Sequence, residues 1–222
     1  MSALVEPFEN RQEAGRALAA ALLGYRDTDA LVLAIPRGGV VVGYEVAKAL
    51  NLELDVIVPR KIGAPDQPEL AIGAVASWGN HETIIDERSV RFLGVTPEYI
   101  EREVQNQIVE VNRRLLAYRE TTEPPNVAGR DTIVVDDGIA TGYTTRAAAV
   151  ALRHLNASRV ILAVPVAPPD SLDGLRPSVD EIVCLKAPAP FLAVGYWYRD
   201  FAQVSDQEVI GLLKKARARD TA

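Results

Sequence analysis

Five short runs of apolar residues, each closed by a turn rich in glycine, proline or acid, constrain this chain more than any other feature. They are Leu31 to Ile35, Leu54 to Val58, Thr132 to Val135, Arg159 to Val164 and Glu181 to Leu185. Leu31 to Ile35 is unbroken, as expected of a strand covered on both faces, and Leu54 to Val58 reads as a second strand of the buried type, a pattern that points to a parallel sheet. Helical segments stand between them: Gln12 to Leu23, stopped by Gly24, then Val40 to Leu50 and about Thr144 to Leu155. Ser205 to Ala218 closes the chain as a helix capped by Ser205. This β-loop-α-β order predicts an α/β fold, an open and mostly parallel sheet flanked by helices. With 222 residues the chain is expected to be one domain, 1–222, with a full hydrophobic core.

Other segments interrupt the rhythm. Lys61 to Glu69 contains Gly63, Pro65 and Pro68 with little to bury, and reads as a mobile loop. Leu70 to Ser77 and Glu82 to Asp86 read as two strands around a Gly79-Asn80 turn. Thr96 to Tyr118 is the clearest helix: Thr96 caps it, Pro97 opens it, and Ile100, Val104, Ile108, Val111 and Leu115 line one side. Thr121 to Gly129 reads as a linker. An elaboration, a hairpin plus a long helix, is therefore expected at about 70–125. The Pro165 to Pro169 stretch is expected to end the strand before it.

Composition removes several functions. Lys and Arg number 24 against 30 Asp and Glu, a net charge of −6, so no basic surface for nucleic acid is expected. No apolar run approaches the roughly eighteen residues of a membrane span. The start, Met1 to Glu6, lacks a basic region followed by an apolar core, so a cytoplasmic protein is expected. The single cysteine, Cys184, reads as a small core residue without a disulfide partner. His81 and His154 have no cysteine or acid at ligand spacing, and zinc is not expected.

The chemistry is concentrated in Thr132 to Thr145, TIVVDDGIATGYTT. Ligands of open parallel sheets collect beyond the carboxyl ends of the strands, where Asp136 and Asp137 fall. Adjacent carboxylates there can accept hydrogen bonds from vicinal hydroxyls or hold a hydrated divalent cation. Gly138 and Gly142 allow tight turns, and Thr141, Thr144 and Thr145 bring hydroxyls to a helix N-terminus. Together they form a cradle for a phosphate monoester. A Walker A loop does not fit, because Tyr143 stands where its lysine would be.

This segment resembles the phosphoribosyl pyrophosphate (PRPP) signature of the type I phosphoribosyltransferases. Gly138 departs from it, since the family usually has an apolar residue there. Ile35-Pro36-Arg37-Gly38-Gly39 resembles the family's pyrophosphate loop, and Arg60-Lys61 the head of its flexible catalytic loop. The resemblance implies a type I phosphoribosyltransferase-like fold with a small hood, placed at about 186–204, and a homodimer. It also implies Mg²⁺-dependent transfer of the phosphoribosyl group from PRPP to a nucleobase or related nitrogen heterocycle, releasing pyrophosphate. The implied catalytic residues are Arg37, Arg60, Lys61, Asp136 and Asp137, with Arg60 or Lys61 closing as a lid. PRPP would be held by Arg37, Gly38, Gly39, Asp136, Asp137, Gly138, Ile139, Ala140, Thr141, Gly142, Tyr143, Thr144 and Thr145. The metal would be held indirectly by Asp136 and Asp137, through substrate or water.

Ala140 stands where 6-oxopurine enzymes of the family carry an acid, so adenine-type enzymes are the better match. Pro188 to Phe201 is the densest aromatic stretch. Tyr196 or Trp197 can stack on a planar base, with Asp200 as polar partner, and the same rings can equally serve as packing. Two other classes would use these residues: a PRPP-binding regulatory protein without catalysis, and a hydrolase of phosphoribosyl compounds with water as acceptor. Arg37 and the Arg60-Lys61 pair favour the transferase over a pure sensor.

Overall fold

A computed structural model of the protein describes residues 6–76, 82–123 and 125–220. The Gly79-Asn80 turn and His81 lie outside them. The chain runs through α1 (Arg11–Ala21), β1 (Leu31–Ala34), α2 (Gly38–Leu50) and β2 (Glu53–Val56). Next come β3 (Pro59–Ala64), β4 (Gln67–Ala76), β5 (Glu82–Ile85), α3 (Glu87–Leu93) and α4 (Pro97–Arg119). It ends with β6 (Asp131–Val135), α5 (Tyr143–His154), β7 (Arg159–Val166), α6 (Pro169–Leu175), β8 (Glu181–Lys186) and α7 (Asp206–Asp220).

Five strands form one sheet in the order β2-β1-β6-β7-β8, every pair parallel. The expected fold class is therefore observed: β1 is buried along its whole length, and helices flank the sheet. β1 and β6 lie side by side with Ala34 opposite Val135, and the Ile35 N–H donates to the Val135 carbonyl at 2.8 Å. From β1 the chain crosses through α2 to β2, and from β6 it crosses the other way through α5 to β7. The strand order thus reverses between β1 and β6, which opens a crevice at their carboxyl ends.

The second sheet, β3-β4-β5, is antiparallel and corrects one expectation. Residues 61–69 are not a loop: β3 and β4 pair from Pro59 opposite Ala76 to Ala64 opposite Gln67. The ladder shifts register on both sides of Gly63 and turns at Pro65-Asp66, so bulge and turn absorb the residues that read as breakers. Buried Ile62, Ile72 and Val75 then give the hairpin a core against Ile100, Val104 and Ile108 of α4.

The long helix matches its prediction, with Thr96 Oγ1 accepting from the Tyr99 N–H at 3.3 Å. Its apolar stripe serves two cores, because Val111, Leu115 and Tyr118 continue into the core of the large sheet. At its end Arg119 Nε reaches both oxygens of Asp55 on β2 at 2.9 and 3.0 Å, a buried pair. β7 also continues through Pro165 to Val166, past the predicted end. Its last partner on β6 is Ala163 opposite Val135, so Pro165 stands where that ladder has finished and a missing N–H is tolerated. Cys184 is half-buried on the edge strand β8, and burial raises its thiol pKa. No helix among the described residues is long and apolar enough to cross a membrane.

Candidate active site

The loops after β1 and β6 meet in the crevice, and the glycines set how closely. Gly38 and Gly39 are the first residues of α2. A Cβ on Gly38 would fall 1.9 Å from Asp137 Oδ2, and one on Gly39 would fall 2.8 Å from the Val135 carbonyl and 3.1 Å from Asp136 Oδ1. Only glycine lets the Arg37-Gly38-Gly39 turn lie against the two acids. Arg37 is the N-cap of α2 and makes no capping bond with its side chain.

The two acids sit in different surroundings. Asp136 Oδ1 accepts the Asp137 N–H at 2.8 Å. Burial first, and the Asp137 charge second, hold the Asp136 carboxyl well above the usual carboxylate range. Asp137 instead has a cation, with Arg11 Nε 2.7 Å from its Oδ2. Arg11 is 126 residues from Asp137 and carries no local sequence signal of this contact.

Beyond the acids the loop is anchored by its apolar residue. Ile139 is buried among Leu162, Val164 and Leu175, while its N–H donates to the Val166 carbonyl at 3.0 Å. Ser171 of α6 donates to the Ala140 carbonyl at 2.6 Å, a second anchor the sequence did not signal. Gly142 then takes a left-handed conformation, φ 79°, and starts α5 without a side-chain cap. The N–H groups of Tyr143, Thr144 and Thr145 therefore face the loop without helical acceptors, the arrangement that binds anions. Thr141 is exposed and Thr144 half-exposed, whereas the Thr145 side chain is buried at 1% exposure and has only its backbone to offer.

The hood closes over this from the other side. Phe8 pairs with Tyr198, the Arg199 and Asp200 N–H groups donate to the Phe8 and Glu9 carbonyls at 2.8 and 2.9 Å, and Tyr198 Oη donates to the Asp137 carbonyl. Burial, with the Asp137 charge next, raises the Tyr198 pKa. A Cβ on Gly138 would fall 2.4 Å from Val194 Cγ1, so the apolar group missing from Gly138 is replaced by one from the hood. Tyr196 is 70% exposed. Trp197 stacks on Phe191 at 6.2 Å, and its indole N–H is buried without an acceptor among the described residues. Asp200 is exposed and its Oδ1 accepts from the Ala202 N–H at 3.1 Å, closing its own turn.

Arg60 and Lys61 stand on β3. Arg60 Nε donates to Gln107 Oε1 on α4 at 3.0 Å, and burial, then the charge of Arg114, lowers its pKa. Lys61 lies opposite Ala74 on β4. No cluster of three or more histidine, cysteine or acidic side chains forms a metal cage among the described residues. Two acids at the crevice suit a hydrated divalent cation such as Mg²⁺, which needs few protein ligands.

A family model for the phosphoribosyl transferase domain matches residues 5–191. The chain belongs to this family. This phosphoribosyl transferase domain is 42% identical over 215 residues to Rv0571c of Mycobacterium tuberculosis H37Rv and, equally, to MT0597 of strain CDC 1551, both provisionally named phosphoribosyl transferases. Those matches cover 97% of this chain but 48% of the relatives, so the chain spans about half their length. It is also similar to the crystal structure of TT1426 from Thermus thermophilus, with TM-score 0.81 and 40% identity over 94% of this chain and 98% of that one.

Proposed function

We propose that the domain binds PRPP in the β1/β6 crevice and transfers its phosphoribosyl group to a nucleobase-like nitrogen acceptor, releasing pyrophosphate. The observation that carries this reading is the convergence of three complementary groups at one switch point. These are an uncapped helix N-terminus for a phosphate, an acid pair for vicinal hydroxyls, and a Gly-Gly turn close enough to admit a diphosphate. The loop from Gly138 to Thr145 takes the 5′-phosphate on its N–H groups and the Thr141 and Thr144 hydroxyls. Asp136 and Asp137 accept the ribose hydroxyls. The N–H groups of Gly38 and Gly39, with the Arg37 guanidinium, hold the diphosphate as it leaves.

Cleavage at C1 puts positive charge on the ribose and negative charge on the leaving diphosphate. On this reading Asp136 and Asp137 answer the first and Arg37 the second, so stabilisation is electrostatic and positional, without a protein nucleophile. Mg²⁺, held by Asp136 and Asp137 through substrate or water, would neutralise diphosphate charge. Lys61, with Arg60, adds positive charge from the β3-β4 hairpin. The acceptor lies under the hood, against Tyr196 and Trp197, with the free Trp197 indole N–H and Asp200 as polar handles. Ala140 supplies no acid for a 6-oxo base, which favours an adenine-type acceptor.

The test is pyrophosphate release from Mg·PRPP across purines, pyrimidines and simple amines, with a control lacking acceptor. Release with one acceptor supports transfer. Release without any acceptor means hydrolysis, and silence across a panel in which PRPP nonetheless binds means sensing; either outcome replaces the transferase reading.

A further inference from the structure

Arg11 lies outside every segment that resembles the family's PRPP site, yet it joins three parts of the crevice. Its Nε donates to Asp137 Oδ2 at 2.7 Å, one terminal nitrogen donates to the Ala202 carbonyl at 2.8 Å, and the guanidinium lies 3.9 Å from the Phe201 ring centroid. The ion pair is largely withdrawn from water, with side chains 11% and 15% exposed. A Cβ on Gly38 would fall 2.8 Å from Arg11 Nε, so the guanidinium also borders the Gly38-Gly39 turn. One side chain therefore touches the second acid, the turn beside it and the far end of the hood.

We propose that Arg11 is a positioning residue: it orients the Asp137 carboxylate for PRPP and fastens the 198–202 end of the hood to it. The inference rests on the PRPP reading of the crevice. A planar guanidinium can place separate donors on Asp137 and Ala202 while lying over Phe201. A lysine ammonium can answer the Asp137 charge but cannot span both acceptors. PRPP is a polyanion, so removing a cation that borders its diphosphate turn and steadies an acid weakens binding. The two roles thus separate chemically, one needing the charge and the other the fork.

The experiment titrates Mg·PRPP calorimetrically into wild type, Arg11→Lys and Arg11→Met, and follows amide hydrogen exchange of Arg199, Asp200 and Ala202 without ligand. For Arg11→Lys the expected PRPP affinity is within about threefold of wild type, with hood amides exchanging about tenfold faster. For Arg11→Met both change, PRPP binding weakening by about tenfold or more. Unchanged hood exchange in Arg11→Lys, or wild-type PRPP affinity in Arg11→Met, overturns the inference. A purely structural role is separated by the affinity of the folded Lys variant, because general loosening would weaken PRPP binding there as much as in Met. A wild type that takes up no PRPP would instead overturn the reading of the crevice, and with it the Asp137 half of the inference.

Discussion

Gly38 has no room for a side chain, because a methyl group there would overlap Asp137 Oδ2 at 1.9 Å and crowd Arg11 Nε at 2.8 Å. Gly38→Ala must push the carboxylate aside and part it from its guanidinium. The expected loss is about 1–3 kcal/mol in urea denaturation, with PRPP binding falling in the same variant. Intact affinity would mean that Asp137 does not need its observed position. Such details divide into those a sequence carries and those it does not. The acid pair and the glycines were legible as a group because they fall within one fourteen-residue segment, whereas the burial of the Thr145 side chain was not. Arg11 was not, since its partner lies 126 residues away and one arginine at a helix start carries no pattern. Val194 filling the space above Gly138 was hidden in the same way.

At the scale of elements, local pattern served best where burial is two-sided. The strands of the large sheet and the capped helix α4 appear within two residues of their predicted spans. It failed at the β3-β4 hairpin and at Pro165, where glycine and proline normally signal a break. A bulge, a turn and the end of a ladder accommodate them there, and only pairing across strands reveals this. The end of α4 depends on a contact that is equally non-local, the buried Arg119–Asp55 pair with both residues below 10% exposure. Arg119→Met leaves Asp55 buried without its cation, so the expected loss is about 3–5 kcal/mol in denaturant unfolding. Adding Asp55→Asn should recover part of it. A loss below about 1 kcal/mol would show that α4 is held by its apolar stripe alone.

For the molecule as a whole, a parallel sheet that reverses strand order between β1 and β6 leaves one crevice at its carboxyl edge, and the acids stand in it. Asp136 is costly there. Its folded pKa is raised by burial and by Asp137, so its favourable contribution to stability belongs below the ordinary carboxylate pKa and is lost as pH rises. At neutral pH the native state therefore gains nothing from this carboxylate, and on the PRPP reading of the crevice substrate binding accounts for its presence. The decisive measurement is the thermal melt of Asp136→Asn at neutral pH, paired with calorimetric titration of Mg·PRPP. The expected result is a melt no lower than wild type, with PRPP affinity reduced by at least about tenfold. A lowered melt, or wild-type affinity, would make Asp136 a structural residue and contradict the assignment of the crevice.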